Sequence, residues 1–199
     1  MLKRRGWNWR VLLLFGAMVW FPSVVHAERA RWNLDPEHST IEFRVKHMVI
    51  QTVKGRFREF DGAIVAGAEP TISGSIRVAS LETLHEERDV HLRSADFFDV
   101  ERHPEISFEA SGLQFNGDDG RFTLPGELTI KGVTRPITLD GELQGTGIAP
   151  DGSERIALAL RGQLDRSDYG LTWNRLLETG NVLVGDTVEL FLDVAAARV

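Results

Sequence analysis

Run after run of this chain alternates apolar with polar residues, and within each run the apolar members fall on one side. Ile41, Phe43 and Val45 oppose Glu42, Arg44 and Lys46, and Ile106, Phe108 and Ala110 oppose Glu105, Ser107 and Glu109. The same period of two recurs in Ile137, Leu139 and Leu143, in Ile156, Leu158 and Leu160, and in Val188, Leu190, Leu192 and Val194. Side chains on a strand alternate between faces, so these runs read as strands with one wet and one apolar face. Such a face is buried only against another layer or by closing the sheet on itself.

Bounded by Gly, Pro, Asn and Asp, the pattern predicts a short strand near Arg31–Leu34 and then Thr40–Met48, Val53–Val65, Thr71–Val78 and Glu105–Phe115. Arg121–Ile130, Thr134–Leu143, Glu154–Asp165 and Asp186–Val194 follow. Connections such as Lys131-Gly132-Val133 and Pro150-Asp151-Gly152 are hairpin-length, so sequential antiparallel pairing is expected. Two segments interrupt the strands. Asp35-Pro36-Glu37-His38 has a capping residue before a proline, which predicts one helical turn. The longer insertion, Leu81–Pro104, carries Thr83-Leu84-His85-Glu86 with capping-box spacing, which predicts a helix ending near Arg93. Eight long antiparallel strands fit a sandwich or a closed barrel. Glycines at 55, 62, 74, 126, 141 and 162 suit the bends of a barrel and leave its lumen partly unfilled. The expectation is an all-β, eight-stranded antiparallel barrel with a short helical insertion, and one domain over residues 28–199.

The start of the chain reads as an address. Lys3, Arg4, Arg5 and Arg10 precede the apolar run Val11–Phe21, and Val25-His26-Ala27 has small residues at the −3 and −1 positions of a cleavage site. Cleavage after Ala27 is expected, by general secretion, and the apolar run is well short of the roughly 20 residues that cross a bilayer. Removing the leader would leave 172 residues and take the formal charge from −6 to −10. That balance disfavours nucleic acid and an anionic membrane surface as partners. The chain has no Cys, which excludes disulfides and thiolate metal sites.

Polar clusters give weak chemical signals. His85, Asp89 and His91 are of metal-ligating types, but Asp89 and His91 stand two apart on the predicted helix and point apart. Solvation and ion pairing of Glu86, Glu87, Arg88 and Asp89 is the favoured account, with no metal site. Asp35, His38 and Ser39 have the residue types of a hydrolytic triad, without a relay geometry or a nucleophile elbow. They read as a turn cap and as ties to neighbouring strands, and Arg166 and Asp168 beside Tyr169-Gly170 as a polar tie at a strand end. No enzymatic activity and no cofactor are expected.

Several blocks together resemble the YceI-like family of exported lipid-binding proteins. They are Trp32-Asn33-Leu34-Asp35 with His38-Ser39-Thr40-Ile41-Glu42-Phe43 and His47, the run Arg88–Val100 followed by Pro104, the run Gly126–Pro136, and Asp165–Gly170. The blocks stand in the family's order across nearly the whole mature chain. The resemblance implies a lipocalin-like barrel in the periplasm of a Gram-negative bacterium, holding an isoprenoid lipid, either a quinone tail or a polyprenyl chain. It transfers a ligand-binding role to the inward face: Ile41, Phe43, Val45, Ile76, Val78, Phe97, Phe98, Ile106, Phe108, Leu128, Ile130, Ile137, Leu139, Leu158, Leu160, Val188 and Leu190. For each of these, packing as core is an equal alternative. Phe97 and Phe98 are adjacent and both apolar, which a turn can aim at a barrel mouth and a strand cannot. The insertion is therefore expected to cap or gate the lumen, or else to plug it. Carriage or storage of the lipid is the leading function. A hydrolase or isomerase using His38 or His91 as base, and an accessory protein delivering quinone to an inner-membrane redox protein, are the alternatives.

Overall fold

The computed structural model describes residues 30–48, 50–67, 69–115, 119–176 and 183–199, so the expected leader lies outside the described residues. Among the described residues, twelve strands run β1 (Arg31–Leu34), β2 (Thr40–His47), β3 (Gln51–Phe57), β4 (Phe60–Val65), β5 (Thr71–Arg77), β6 (Leu81–Glu82), β7 (Glu105–Ser111), β8 (Gln114–Phe115), β9 (Arg121–Ile130), β10 (Val133–Ile148), β11 (Glu154–Asp165) and β12 (Val184–Arg198). One helix, α1 (Glu86–Arg93), stands between β6 and β7. All pairings are antiparallel, and β12 pairs with both β1 and β2, which closes the sheet.

The twelve segments make eight barrel staves, because several staves are broken in two. β1 and β2 form one stave, and the turn Pro36–His38 between them is capped by Asp35, whose carboxylate accepts from the Glu37 amide. β3 and β4 form the next. The pattern predicted one strand over Val53–Val65, yet the chain bends at Arg58 and Glu59, whose amides donate to the Ser80 hydroxyl at 3.2 and 3.0 Å. A side chain thus replaces the missing ladder partner, so the bend leaves no buried amide unpaired. β7 and β8 divide at Gly112, whose φ of +75° a strand residue does not adopt. β10 and β12 run past their predicted ends because Gly145-Thr146-Gly147 and Ala195-Ala196-Ala197 carry little alternation, although they stay paired to β11.

The helix starts later than the capping box indicated. His85 is the N-cap residue, its ring accepting from the Arg88 amide, while the Thr83 hydroxyl turns inward to the Asp89 carboxylate at 2.5 Å. Asp89 also accepts from the Thr83 amide at 2.9 Å and is 7% exposed. The expected surface role for Asp89 is therefore corrected: a buried carboxylate with two donors locks the start of α1 onto β6. Arg88 donates to Thr83 as well, and Arg93 to the Leu81 carbonyl, so these side chains fasten the insertion to the barrel, while Glu86 and Glu87 stay exposed as expected.

Candidate functional site

The inward faces of the staves meet in two packed clusters. One, at the end covered by α1, includes Phe57, Leu81, Phe97, Ile106, Leu128, Ile130, Tyr169 and Leu171, and the other, toward the opposite end, includes Phe122, Leu124, Leu139, Leu158, Leu160 and Val194. They do not fill the lumen. A cavity of about 200 Å³ that water-sized molecules can move through remains, lined by residues of both clusters. A single water needs about 10–15 Å³ by a comparable measure, so the space suits an extended apolar ligand.

Sixteen of the seventeen inward residues named above line this cavity. Val78 does not: it stands in the short turn Val78–Ser80, 1% exposed, and packs in the cluster beneath α1. Periodicity placed it inward correctly, but the turn carries it out of the stave. The cavity also takes in Leu34, Phe57, Ile64, Ile72, Leu92, Leu164, Leu192 and Ala196. Most of these lie on the same alternating faces, toward strand ends, and could have been found by extending each run. Leu92 could not, because it comes from α1.

Glycines shape the wall. A Cβ on Gly55 would lie 2.2 Å from the ring of Phe43, and one on Gly141 would lie 2.2 Å from the ring of Phe122. Each ring therefore lies flat across a glycine on the paired strand instead of projecting into the lumen, which keeps the centre open while burying the ring. Gly74 differs, since its nearest atom to an added Cβ is the Asp61 carbonyl at 3.6 Å.

The insertion closes one end. Leu92, Phe97 and Phe98 all line the cavity, and Phe98 meets Phe57 edge-on at 6.4 Å between ring centres. The turn after α1 allows this double approach, its amides being taken up by Leu92 and Ser94 carbonyls. Space remains beneath these rings, so they cap the lumen without plugging it. The cap is joined to the loop after β11 by His91, Phe97 and Trp173, whose ring centres stand 4.7–5.2 Å apart. That loop is tied down by Arg166, 4% exposed, which donates to the carbonyls of Gly185 (2.9 Å), Leu171, Trp173 (3.0 Å) and Val184 (3.4 Å) and to the Asp186 carboxylate (3.0 Å). The polar tie expected at Arg166 is thus a buried guanidinium surrounded by carbonyls. Asp168 contributes its carbonyl, which accepts from Arg135.

Among the described residues, the other polar side chains singled out in the sequence turn to partners of their own. His85, Asp89 and His91 turn to Arg88, Thr83 and Asp96 respectively. No group of three metal-ligating side chains comes together among the described residues. Asp35 bonds His38 at 2.9 Å, but the Ser39 hydroxyl donates to the Asp35 and Ala195 carbonyls and accepts from the Ala195 amide at 2.9 Å. A hydroxyl so engaged is a joint between β2 and β12, not a nucleophile. Burial acts to raise the Asp35 carboxyl, yet hydrogen bonds from Arg155, His38 and the Glu37 amide outweigh it and hold the group below its usual value.

The interior of a closed eight-stranded antiparallel barrel is either filled by side chains or holds one small ligand, and in this barrel an apolar space stays open beneath the cap. The chain belongs to the YceI-like family, whose domain model matches residues 32–196. It is 34% identical over 190 residues to a UPF0312 protein of Serratia proteamaculans, covering 94% of this chain and 95% of that one. It is 35% identical over 163 residues to a UPF0312 protein of Staphylococcus aureus, covering 79% and 92%. Among solved structures, BcnA of Burkholderia cenocepacia superposes with a TM-score of 0.70 at 19% identity, covering 81% of this chain and 98% of that one. A polyisoprenoid binding domain from Saccharophagus degradans, implicated in plant cell wall breakdown, superposes with a TM-score of 0.65 at 17% identity, covering 83% and 97%.

Proposed function

We propose that this protein binds an isoprenoid lipid, its chain in the barrel lumen, and that it carries or stores that lipid without transforming it. The observation that carries the reading is the apolar cavity left open beneath the cap, lined by side chains from both core clusters. Membership of the YceI-like family and the polyisoprenoid ligand named for one structural neighbour support the same class of ligand. On this reading the lining residues, from Ile41, Phe43 and Val45 on β2 to Val188 and Leu190 on β12, share their apolar surface between each other and the chain. A tail burying roughly 500 Å² gains about 12 kcal/mol gross at ~25 cal/mol per Å². Association and ordering costs remove a large part of that, which leaves micromolar or tighter binding. The leader-like start of the chain supports export to the periplasm, where the bound lipid is a quinone or another polyprenyl compound. A redox protein of the inner membrane then becomes a candidate recipient.

Native mass spectrometry of protein purified without detergent, followed by organic extraction, tests the reading. A stoichiometric adduct whose extracted mass fits a polyprenyl compound is expected, unaltered after prolonged incubation. Preparations that are repeatedly empty and take up no isoprenoid would overturn it.

A further inference from the structure

The chain carries a formal charge of −6, yet residues 43–58 contain Arg44, Lys46, Lys54, Arg56 and Arg58 and no Asp or Glu. Those residues are the β2–β3 hairpin, and its tip leaves Met48 and Ile50 36% and 81% exposed. Nearer the barrel the cations are occupied: Arg56 and Arg58 pair with Glu82 at 2.7 and 3.2 Å, and Arg44 lies over the Phe191 ring at 3.9 Å. Toward the tip they are free of carboxylates. Lys46 and Lys54 are exposed and have no acidic partner among the described residues, Lys46 reaching only the Thr52 hydroxyl at 3.0 Å. A second segment joins them. The Met48 amide donates to the Leu183 carbonyl at 2.7 Å and the Leu183 amide to the Arg175 carbonyl at 2.8 Å, which sets exposed Arg175 and Leu176, the latter 75% exposed, beside the hairpin. The cavity reaches this end of the molecule, for Val45 and Val184 both line it and Val184 pairs with His47.

We propose that the hairpin tip, together with Arg175 and Leu176, is a docking surface for an anionic lipid bilayer across which the barrel exchanges its ligand; the exchange rests on the lipid reading above. Exposed aliphatic side chains at a hairpin tip enter the boundary between headgroups and acyl chains, and lysines beside them are drawn to the negative surface. The acidic remainder of the barrel is repelled by the same surface, so the field turns the cavity's hairpin end toward the lipid. Anchors of protein interfaces are enriched in packed Trp, Tyr and Arg. Separated aliphatic tips among unpaired lysines fit a bilayer better.

Co-sedimentation with vesicles tests this, using phosphatidylglycerol mixed with phosphatidylethanolamine against phosphatidylcholine alone. Binding to the anionic vesicles is expected, weakening as salt rises. Charge reversal in Lys46→Glu/Lys54→Glu should lower it at least about ten-fold, a lysine near such a surface being worth roughly five-fold. Ile50→Asp and Leu176→Asp should lower it too, with unchanged thermal unfolding, because these positions are exposed. Affinity for a fluorescent polyprenyl probe in solution should stay at the wild-type value in all variants, while transfer of the probe from vesicles slows. Wild-type protein that ignores anionic vesicles, or binding unaffected by every substitution, would overturn the proposal. So would concentration-dependent dimerisation abolished by Ile50→Asp without vesicle binding, which would make the tip a contact between copies. Vesicle binding without any uptake of the probe would keep the docking surface and refute the lipid reading instead.

Discussion

Asp35 shows how much a single polar residue holds at the closed seam of the barrel. Its carboxylate receives the Glu37 amide, His38 and Arg155, and so links the turn between β1 and β2 to β11. Because its pKa is lower in the folded chain than in the unfolded one, the group stabilises the fold above its unfolded value and loses that contribution as pH falls through the folded value. The Arg155→Met variant is expected to lose about 1–2 kcal/mol at neutral pH, with the gap to wild type narrowing below about pH 4. Urea denaturation at pH 7 and pH 3 measures both, and an equal gap at the two pH values would contradict the assignment. Arg166 has larger consequences. Arg166→Met leaves several carbonyls of the β11–β12 connection without their donor, and a cost of about 3–5 kcal/mol is expected from breaking such a buried centre. A loss under about 1 kcal/mol would show that water replaces the guanidinium. The type of each residue was legible in the sequence as a polar tie. Its burial was not, since Arg166 is enclosed by chain segments that alternation does not bring together.

At the scale of elements, alternation gave strand positions better than strand ends. Runs with a strong apolar face, such as Arg121–Ile130 and Glu154–Asp165, match the observed strands. Where backbone pairing continues over Gly and Ala, as at the ends of β10 and β12, no side-chain signal marks it. Nor did the capping-box spacing locate α1, because Thr83 had a stronger partner in the buried Asp89 carboxylate than in a free amide. The insertion and its loop behave as one cap through His91, Phe97 and Trp173, and ring pairs of this kind each contribute about 0.5–1.5 kcal/mol. Trp173→Ala should therefore open the cap more often. Release of a bound fluorescent polyprenyl probe, followed by stopped flow, is expected to quicken about ten-fold, while the affinity shifts much less. Phe97→Ala should act in the same direction and also weaken affinity, since Phe97 lines the cavity. Unchanged release in both variants would mean that the ligand leaves by another route.

For the whole molecule, the alternating faces announced an enclosed apolar interior, and eight staves closed by β12 supply it. How that interior divides between packed core and open space was not legible. The division depends on which rings fold flat over glycines and which glycines stay bare, and the sequence shows the same residue in both situations. Gly74 and its paired neighbour Gly62 make the difference testable. A Cβ at Gly62 would meet the Ser73 carbonyl at 2.6 Å, so any side chain there forces the backbone apart. At Gly74 the first contact is at 3.6 Å and the position faces the cavity, so a leucine has room to extend into the lumen. Replacing glycine within a strand also removes unfolded-state freedom, which favours the folded state by about 0.5–1 kcal/mol. Gly74→Leu is accordingly expected to hold or raise thermal stability while weakening polyprenyl-probe binding about ten-fold or more, a loss of about 1.4 kcal/mol or more. Gly62→Leu should lower stability outright. Affinity untouched in Gly74→Leu, with the protein folded, would place the ligand outside this cavity and make the lumen a core alone.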